Sequence, residues 1–189
     1  MKKVDIITLH RVVNYGSVLQ TYALQEKIKE KGFEVETIDY YPERLHLFGM
    51  LKRLKNKKEI LRKNPIVRFG AQCVIFPSYV QRFSMFKKFL KKYIKMTDKT
   101  YYNKEELEKN IPQADIYCTG SDQVWNSEWN EKIEYPFFLD FVPDDKKRIS
   151  YAASFGKKSL VPEEVEETRR LVNKYQYLSM REISGVDIL

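Results

Sequence analysis

The sequence predicts an α/β fold, an open, mostly parallel sheet with helices on both faces. Three observations predict it. Short apolar runs of strand length alternate with segments of helical period. No internal repeat or low-complexity tract interrupts the alternation. Every unusual polar motif directly follows a predicted strand, where ligands sit in sheets of this kind.

Residues 4–9 form the first apolar strand, and residues 16–31 follow with Val18, Leu19, Tyr22, Ala23, Leu24 and Ile28 at helical spacing. Gly32 ends that helix, and a second strand at 35–40, closed by Pro42, completes a β-α-β opening of Rossmann-like type. Residues 43–99 read as a basic helical insertion of two or three helices, with joints at Asn64-Pro65 and near Pro77. A short helix at 104–110 leads to strands at 115–119 and 148–153. A helix at 162–175, acidic at its start and basic at its end, suits the helix dipole. A fifth strand at 177–180 and a helix opening at 183–189 complete the reading, which is a single α/β lobe over 1–189 with its sheet core in 1–42 and 100–189.

With 189 residues, 43% of them hydrophobic and 14% aromatic, the chain can build one domain with a real core, and two would be a tight fit. The charge of +8 raises a nucleic-acid reading, which its distribution argues against. Residues 43–99 hold 16 Lys or Arg against 3 Asp or Glu, while the remainder holds 18 basic and 23 acidic residues. The positive charge belongs to one segment, a candidate for peripheral membrane contact through Lys and Phe residues at helical spacing, and no nucleic-acid partner is expected. The competing reading packs its aromatic side on the sheet and leaves its lysines solvated.

Cys73 and Cys118 are the only cysteines and show no metal or disulfide spacing, so a reducing cytoplasm is the simplest compartment. Asp5, His10 and Arg11 break up the N-terminal apolar stretch, so no secretory signal is expected. No apolar run approaches the roughly 20 residues of a membrane-spanning helix.

Four motifs could carry chemistry. The first runs from His10 through Asn14, Tyr15 and Gly16 to Ser17, between strand one and helix one. A helix N-terminus offers unpaired N–H groups, and Gly16 lets a ligand approach the backbone, so this is a candidate cradle for an anion or sugar. It lacks the glycines of a dinucleotide fingerprint and the GK[ST] of a P-loop. The alternative makes Asn14 a helix cap and Gly16 a packing glycine. The second motif, Gly120, Ser121, Asp122, Gln123, Val124, Trp125 and Asn126, mixes hydroxyl, carboxylate, amide and indole groups as sugar sites do. Its alternative is an Asx-turn with Trp125 in the core. The third, from Ser150 to Gly156, places Ser154 and Gly156 at a strand end. The fourth carries Arg181, a candidate bidentate clamp for a carboxylate or phosphate, or else an ion-pair partner of Glu182 or Asp122. Of the two histidines, His46 lies in the basic segment, where a solvated role is expected. His10 is expected to line the cleft in a binding or packing role, with no carboxylate partner evident. No metal cluster is visible.

The segments NYGSVLQTYALQ, TGSDQVWN, FLDFVPDDKKRISYAASFG and SMREISGVDIL, in this order and spacing, resemble the polysaccharide pyruvyl transferase family over essentially the whole chain except the basic segment. That family is similar in architecture to two-lobed GT-B glycosyltransferases and moves the enolpyruvyl group of phosphoenolpyruvate onto a sugar, usually as a ketal bridging two hydroxyls. The resemblance implies an N-terminal lobe in cell-surface or exopolysaccharide biosynthesis, with a carbohydrate or lipid-linked glycan acceptor and no cofactor beyond the phosphoenolpyruvate donor. It implies acceptor contacts from Asn14, Gly16, Asp122, Gln123 and Trp125 and donor anion binding by Arg181. The general acid is expected to be a histidine of a second lobe beyond Leu189, so this chain alone is expected to be inactive or nearly so. A nucleotide-sugar glycosyltransferase of the same architecture and a non-catalytic glycan- or anion-binding lobe are the alternatives.

Overall fold

Five parallel strands, β1 (Lys3–Ile7), β2 (Glu34–Tyr40), β3 (Met96–Tyr101), β4 (Ile116–Gly120) and β5 (Lys147–Tyr151), form one sheet in the order β3-β2-β1-β4-β5 in the computed structural model, which describes residues 1–52 and 63–189. β1 lies at the centre, paired on one side with β2 and on the other with β4. β5 extends the sheet beyond β4. Strand order therefore reverses direction at β1, and the crevice beyond the carboxyl ends of β1 and β4 is the topological switch point.

α1 (Tyr15–Glu30) begins at Asn14, whose side chain accepts from Ser17 N, and ends at Lys31 and Gly32, the latter at φ +82° as a left-handed helix terminator requires. Leu24 and Ile28 of α1 cover one face of the sheet, against Val4, Ile6, Val35 and Cys118. The opposite face carries Ile7, Ile38, Tyr40 and Tyr117. It is covered by Leu107 of α4 (Lys104–Lys109), by Leu171 and Val172 of α6 (Pro162–Val172), and by Phe137 and Phe138 of a 3-10 turn at Tyr135–Phe138. Each fully buried side chain of this kind contributes about 1.5–3 kcal/mol. Helices thus stand on both faces, as the alternating pattern predicted.

The fifth strand is not the one expected. β3 (Met96–Tyr101) forms at the end of the basic segment and pairs with β2, giving the sheet an edge that sequence patterning assigned to the helical insertion. Its sequence, MTDKTY, buries only Tyr101, because an edge strand needs little apolar content to be held by its neighbour's backbone. Residues 177–180 instead form two isolated bridges, Tyr177 with Ile149 of β5 and Met180 with Ala153 just beyond it. Serine side chains interrupt the ladder there: Ser179 N donates to Ser150 Oγ at 2.8 Å, and Ala152, at φ +47°, turns β5 aside.

Within the basic segment, α2 (Leu47–Lys52) precedes α3 (Pro65–Tyr93), and residues 53–62 of the expected helical insertion lie outside the described residues. The Asn64-Pro65 boundary is found, with the Asn64 side chain accepting from Ile66 N and Val67 N. The joint expected near Pro77 is not: α3 runs through it for 29 residues. An interior proline costs about 3 kcal/mol, and the Asn64 cap together with the packing of Phe86 and Leu90 on α1 outweighs it. α5 (Ser127–Asn130) and α7 (Ile183–Ile188) complete the elements among the described residues.

Candidate functional site

A cavity of about 370 Å³ opens at the switch point, lined by the loop after β1, the first turns of α1, the turn after β4, and Arg181. Asn14, Gly16, Ser121, Asp122, Gln123 and Arg181, drawn from three of the four sequence motifs, converge on this crevice.

The walls are tied together by side chains. Ser17 Oγ donates to Asp122 Oδ2 at 2.7 Å, and Asp122 Oδ1 accepts from the next residue's amide, Gln123 N, at 2.8 Å, one residue short of the spacing of an Asx-turn. The Arg181 guanidinium lies 3.4 Å from Asp122 Oδ1 and 3.9 Å from Glu182, half exposed to the cavity, so it pairs loosely and keeps free donors. Gln20 joins three elements: its Nε2 donates to Thr8 Oγ1 at 3.0 Å and to Ser17 O at 2.9 Å, and its Oε1 accepts from Ser121 N at 3.1 Å. Asn14 caps α1, as the alternative reading of this motif had it, and also lines the cavity.

Two glycines owe their identity to backbone packing. Gly120 sits at φ +117°, and a Cβ there would lie 2.1 Å from Tyr151 O. Gly156, at φ +63°, passes so close to the Gln123 turn that a Cβ would meet Asn126 Nδ2 at 2.5 Å and Gln123 Oε1 at 2.7 Å. Ser154 N donates to Asp122 O and Trp125 N to Ser154 O, zipping these two turns together. Ser154 itself is buried, its hydroxyl donating to Glu182 Oε1 at 2.7 Å and accepting from Gly156 N. Ser154 and Gly156 shape the rim from behind and do not line the cavity.

Trp125 is corrected more sharply. It is 2% exposed, stacks on Phe138 with centroids 5.2 Å apart, and donates from Nε1 to Phe137 O. It belongs to the core because the turn after β4 directs it inward, onto the rings of Phe138, Phe155 and Tyr175. The aromatic side chain that does line the cavity is Trp129, one turn further on. Tyr15 likewise faces away, packed on Phe86 at 5.0 Å.

His10 is fully buried beneath the rim, its Nδ1 facing Thr8 O and its Nε2 3.1 Å from Asp39 Oδ1. It does not line the cavity, and it has the carboxylate partner that sequence alone did not reveal. Arg11 holds the same carboxylate bidentately, through Nε at 2.6 Å and a terminal nitrogen at 2.5 Å, and Thr100 Oγ1 donates to it at 2.6 Å. Burial alone would raise the Asp39 carboxyl, but these hydrogen bonds from His10, Arg11 and Thr100 outweigh it and hold the group well below the usual carboxylate range. Asp39 thereby fixes the loop that carries Val12 and Asn14 into the cavity wall. His46 hydrogen-bonds Tyr41 O and packs against Tyr41 at a tilt and against Tyr102 edge-on, so it is packed and not simply solvated.

Sequence reasoning missed Gln20, Trp129 and Asp39. Gln20 and Trp129 each lie one helical turn beyond a residue already singled out, and Asp39, a charge at the end of an apolar strand, was a visible signal. Among the described residues, no group of three or more His, Cys, Asp or Glu side chains comes together to hold a metal ion. What the cavity offers is a carboxylate and amides suited to orienting hydroxyl groups, an aromatic wall, and one guanidinium suited to an anion.

Fold and crevice define a Rossmann-like α/β protein with a polar cleft at its switch point. The model of the polysaccharide pyruvyl transferase family matches residues 14–189, and the chain belongs to that family. Membership implies a transferase with a carbohydrate acceptor. No curated protein and no solved structure matches the chain.

Proposed function

We propose that this lobe binds the carbohydrate acceptor of a pyruvyl transfer from phosphoenolpyruvate, and that Arg181 holds the anionic donor at the edge of the same crevice. The observation that carries the reading is the convergence of Asn14, Asp122 and Arg181 on one cavity at the switch point.

The chemistry asks for three things. A proton added to the methylene carbon of phosphoenolpyruvate leaves an oxocarbenium-like centre, which a sugar hydroxyl attacks, forming a C–O bond and giving up its proton. Attack by a second hydroxyl, with departure of phosphate, closes the ketal. An acid, an anion clamp and a hydroxyl-orienting surface are required. The cavity supplies the last two: the Asp122 carboxylate accepts from hydroxyl donors, Asn14 and Gln123 present amides, and Trp129 offers a flat apolar wall. No histidine stands among the residues that line the cavity to serve as that acid.

Equilibrium binding of phosphoenolpyruvate and of nucleotide sugars to the chain tests the reading. Phosphoenolpyruvate is expected to bind in preference, and Arg181→Gln to weaken it at least about tenfold, the scale of a lost charge-assisted hydrogen bond. Preferential binding of a nucleotide sugar, or an unchanged affinity in the Arg181→Gln variant, would overturn it.

A further inference from the structure

We propose that α3 docks on an anionic lipid bilayer, with its N-terminal half in the apolar zone and its C-terminal lysines at the headgroups. The inference stands independently of the catalytic reading.

The two halves of α3 differ. Its C-terminal half is anchored: Phe86 and Leu90 join Val18 of α1 in a core cluster, and Phe89 and Tyr93 pack against Tyr22. None of the core clusters among the described residues takes a side chain from positions 65–82. Ile66 there is 81% exposed, Phe69 68% and Val80 41%. An apolar surface of this size on one element marks a contact.

Spacing aligns this surface. Ile66, Phe69, Cys73, Phe76 and Val80 recur every three or four residues and so share one helix face. The same stripe continues into Lys87 and Lys91, both exposed, with Lys88 and Lys92 beside it. Charge selects the occupant. The helix contains Arg68, Arg82 and these four lysines and not one Asp or Glu. A second copy of the chain would bring like charges together with no acidic side chains to pair them, which disfavours a helical seam between copies. A bilayer of anionic lipid meets both features, apolar area and positive charge. No helix among the described residues is long and apolar enough to cross a membrane, so contact is along the surface.

The test is sedimentation of the chain with phosphatidylcholine vesicles, plain or containing about one-third phosphatidylglycerol, an anionic fraction at which polybasic attraction is strong. Cys73 is exposed and Cys118 buried, so an environment-sensitive fluorophore can be placed on the stripe alone. Binding is expected only to the anionic vesicles, with a blue shift of the Cys73 label. The combined variant Lys87→Gln, Lys88→Gln, Lys91→Gln and Lys92→Gln, shown folded by circular dichroism, is expected to bind at least about tenfold more weakly. Equal binding to both vesicle types or to neither, an unshifted label, unchanged binding of the variant, or self-association that shields Cys73 without lipid would each overturn the proposal.

Discussion

Ser17 Oγ donates to Asp122 Oδ2 at 2.7 Å, joining the first turn of α1 to the turn after β4 across 105 positions of sequence. This bond draws the two walls of the cavity together and holds one carboxylate oxygen, leaving the other to face Gln123 N and Arg181.

Ser17→Ala is expected to lower stability by about 1 kcal/mol, the net worth of a hydrogen bond whose acceptor keeps other partners. Urea denaturation measures that loss. Acceptor affinity should fall together with it, because the Asp122 carboxylate loses its orientation.

Trp125 and Trp129 should separate cleanly. Trp125→Ala opens a core cavity and is expected to cost about 3–5 kcal/mol in denaturant unfolding. Trp129→Ala is expected to cost less, while weakening glycan binding measured by titration calorimetry. Loss of glycan binding in a folded Trp125→Phe variant, with Trp129→Ala unaffected, would reverse the assignment.

Asp39 predicts acid sensitivity. Its native carboxyl lies well below the usual range, while the unfolded chain takes up that proton near about pH 4. The contribution is therefore fully present above about pH 4 and is lost as pH falls further, because the unfolded state then binds more protons. Asp39→Asn should remove this slope from a stability profile and cost about 3 kcal/mol at neutral pH by leaving Arg11 with a broken ion pair.

Asp5 predicts a slope of the opposite sign. It is fully buried on β1 without a hydrogen bond, and burial pushes its carboxyl up to about 7, opposed in part by Lys3 at 3.4 Å. Between the unfolded value of about 4 and that native value the folded state binds more protons, so stability should decrease as pH rises. The loss is on the order of 3 kcal/mol. Asp5→Asn should flatten this limb and leave the acid limb of Asp39 in place.

The elements legible in the sequence were those whose residues answer to local rules. Residues 4–9 and 35–40 read as strands because Val4, Ile6, Ile7 and Leu9, and Val35, Ile38 and Tyr40, supply apolar side chains to both covered faces of the sheet. α1 read as a helix because its apolar residues recur at helical spacing and Gly32 ends it. β3 was not legible, since an edge strand is held by β2's backbone and needs no apolar signature of its own. The run at 177–180 has strand composition, yet Ser150 and Ser179 divert its hydrogen bonds through their side chains. Pro77 carries a local breaker signal that packing elsewhere along α3 overrides.

The same division runs through the site. Which residues are polar, small or cationic at strand ends is a property of the chain alone, and it was enough to place Asn14, Asp122, Gln123 and Arg181 among the candidates. Facing direction is not such a property. Trp125 and Trp129 are both indoles near the same turn, and only the packing of residues 137–141 decides that one fills the core and the other walls the cavity. His10 and Asp39 stand 29 positions apart, and only the register of β1 against β2 makes them partners. The sequence by itself determined the class of fold and the chemistry available at its rim, because hydrophobic period and residue type are local. The tertiary structure decided which groups meet, because contact depends on strand order and side-chain direction, which no single segment encodes.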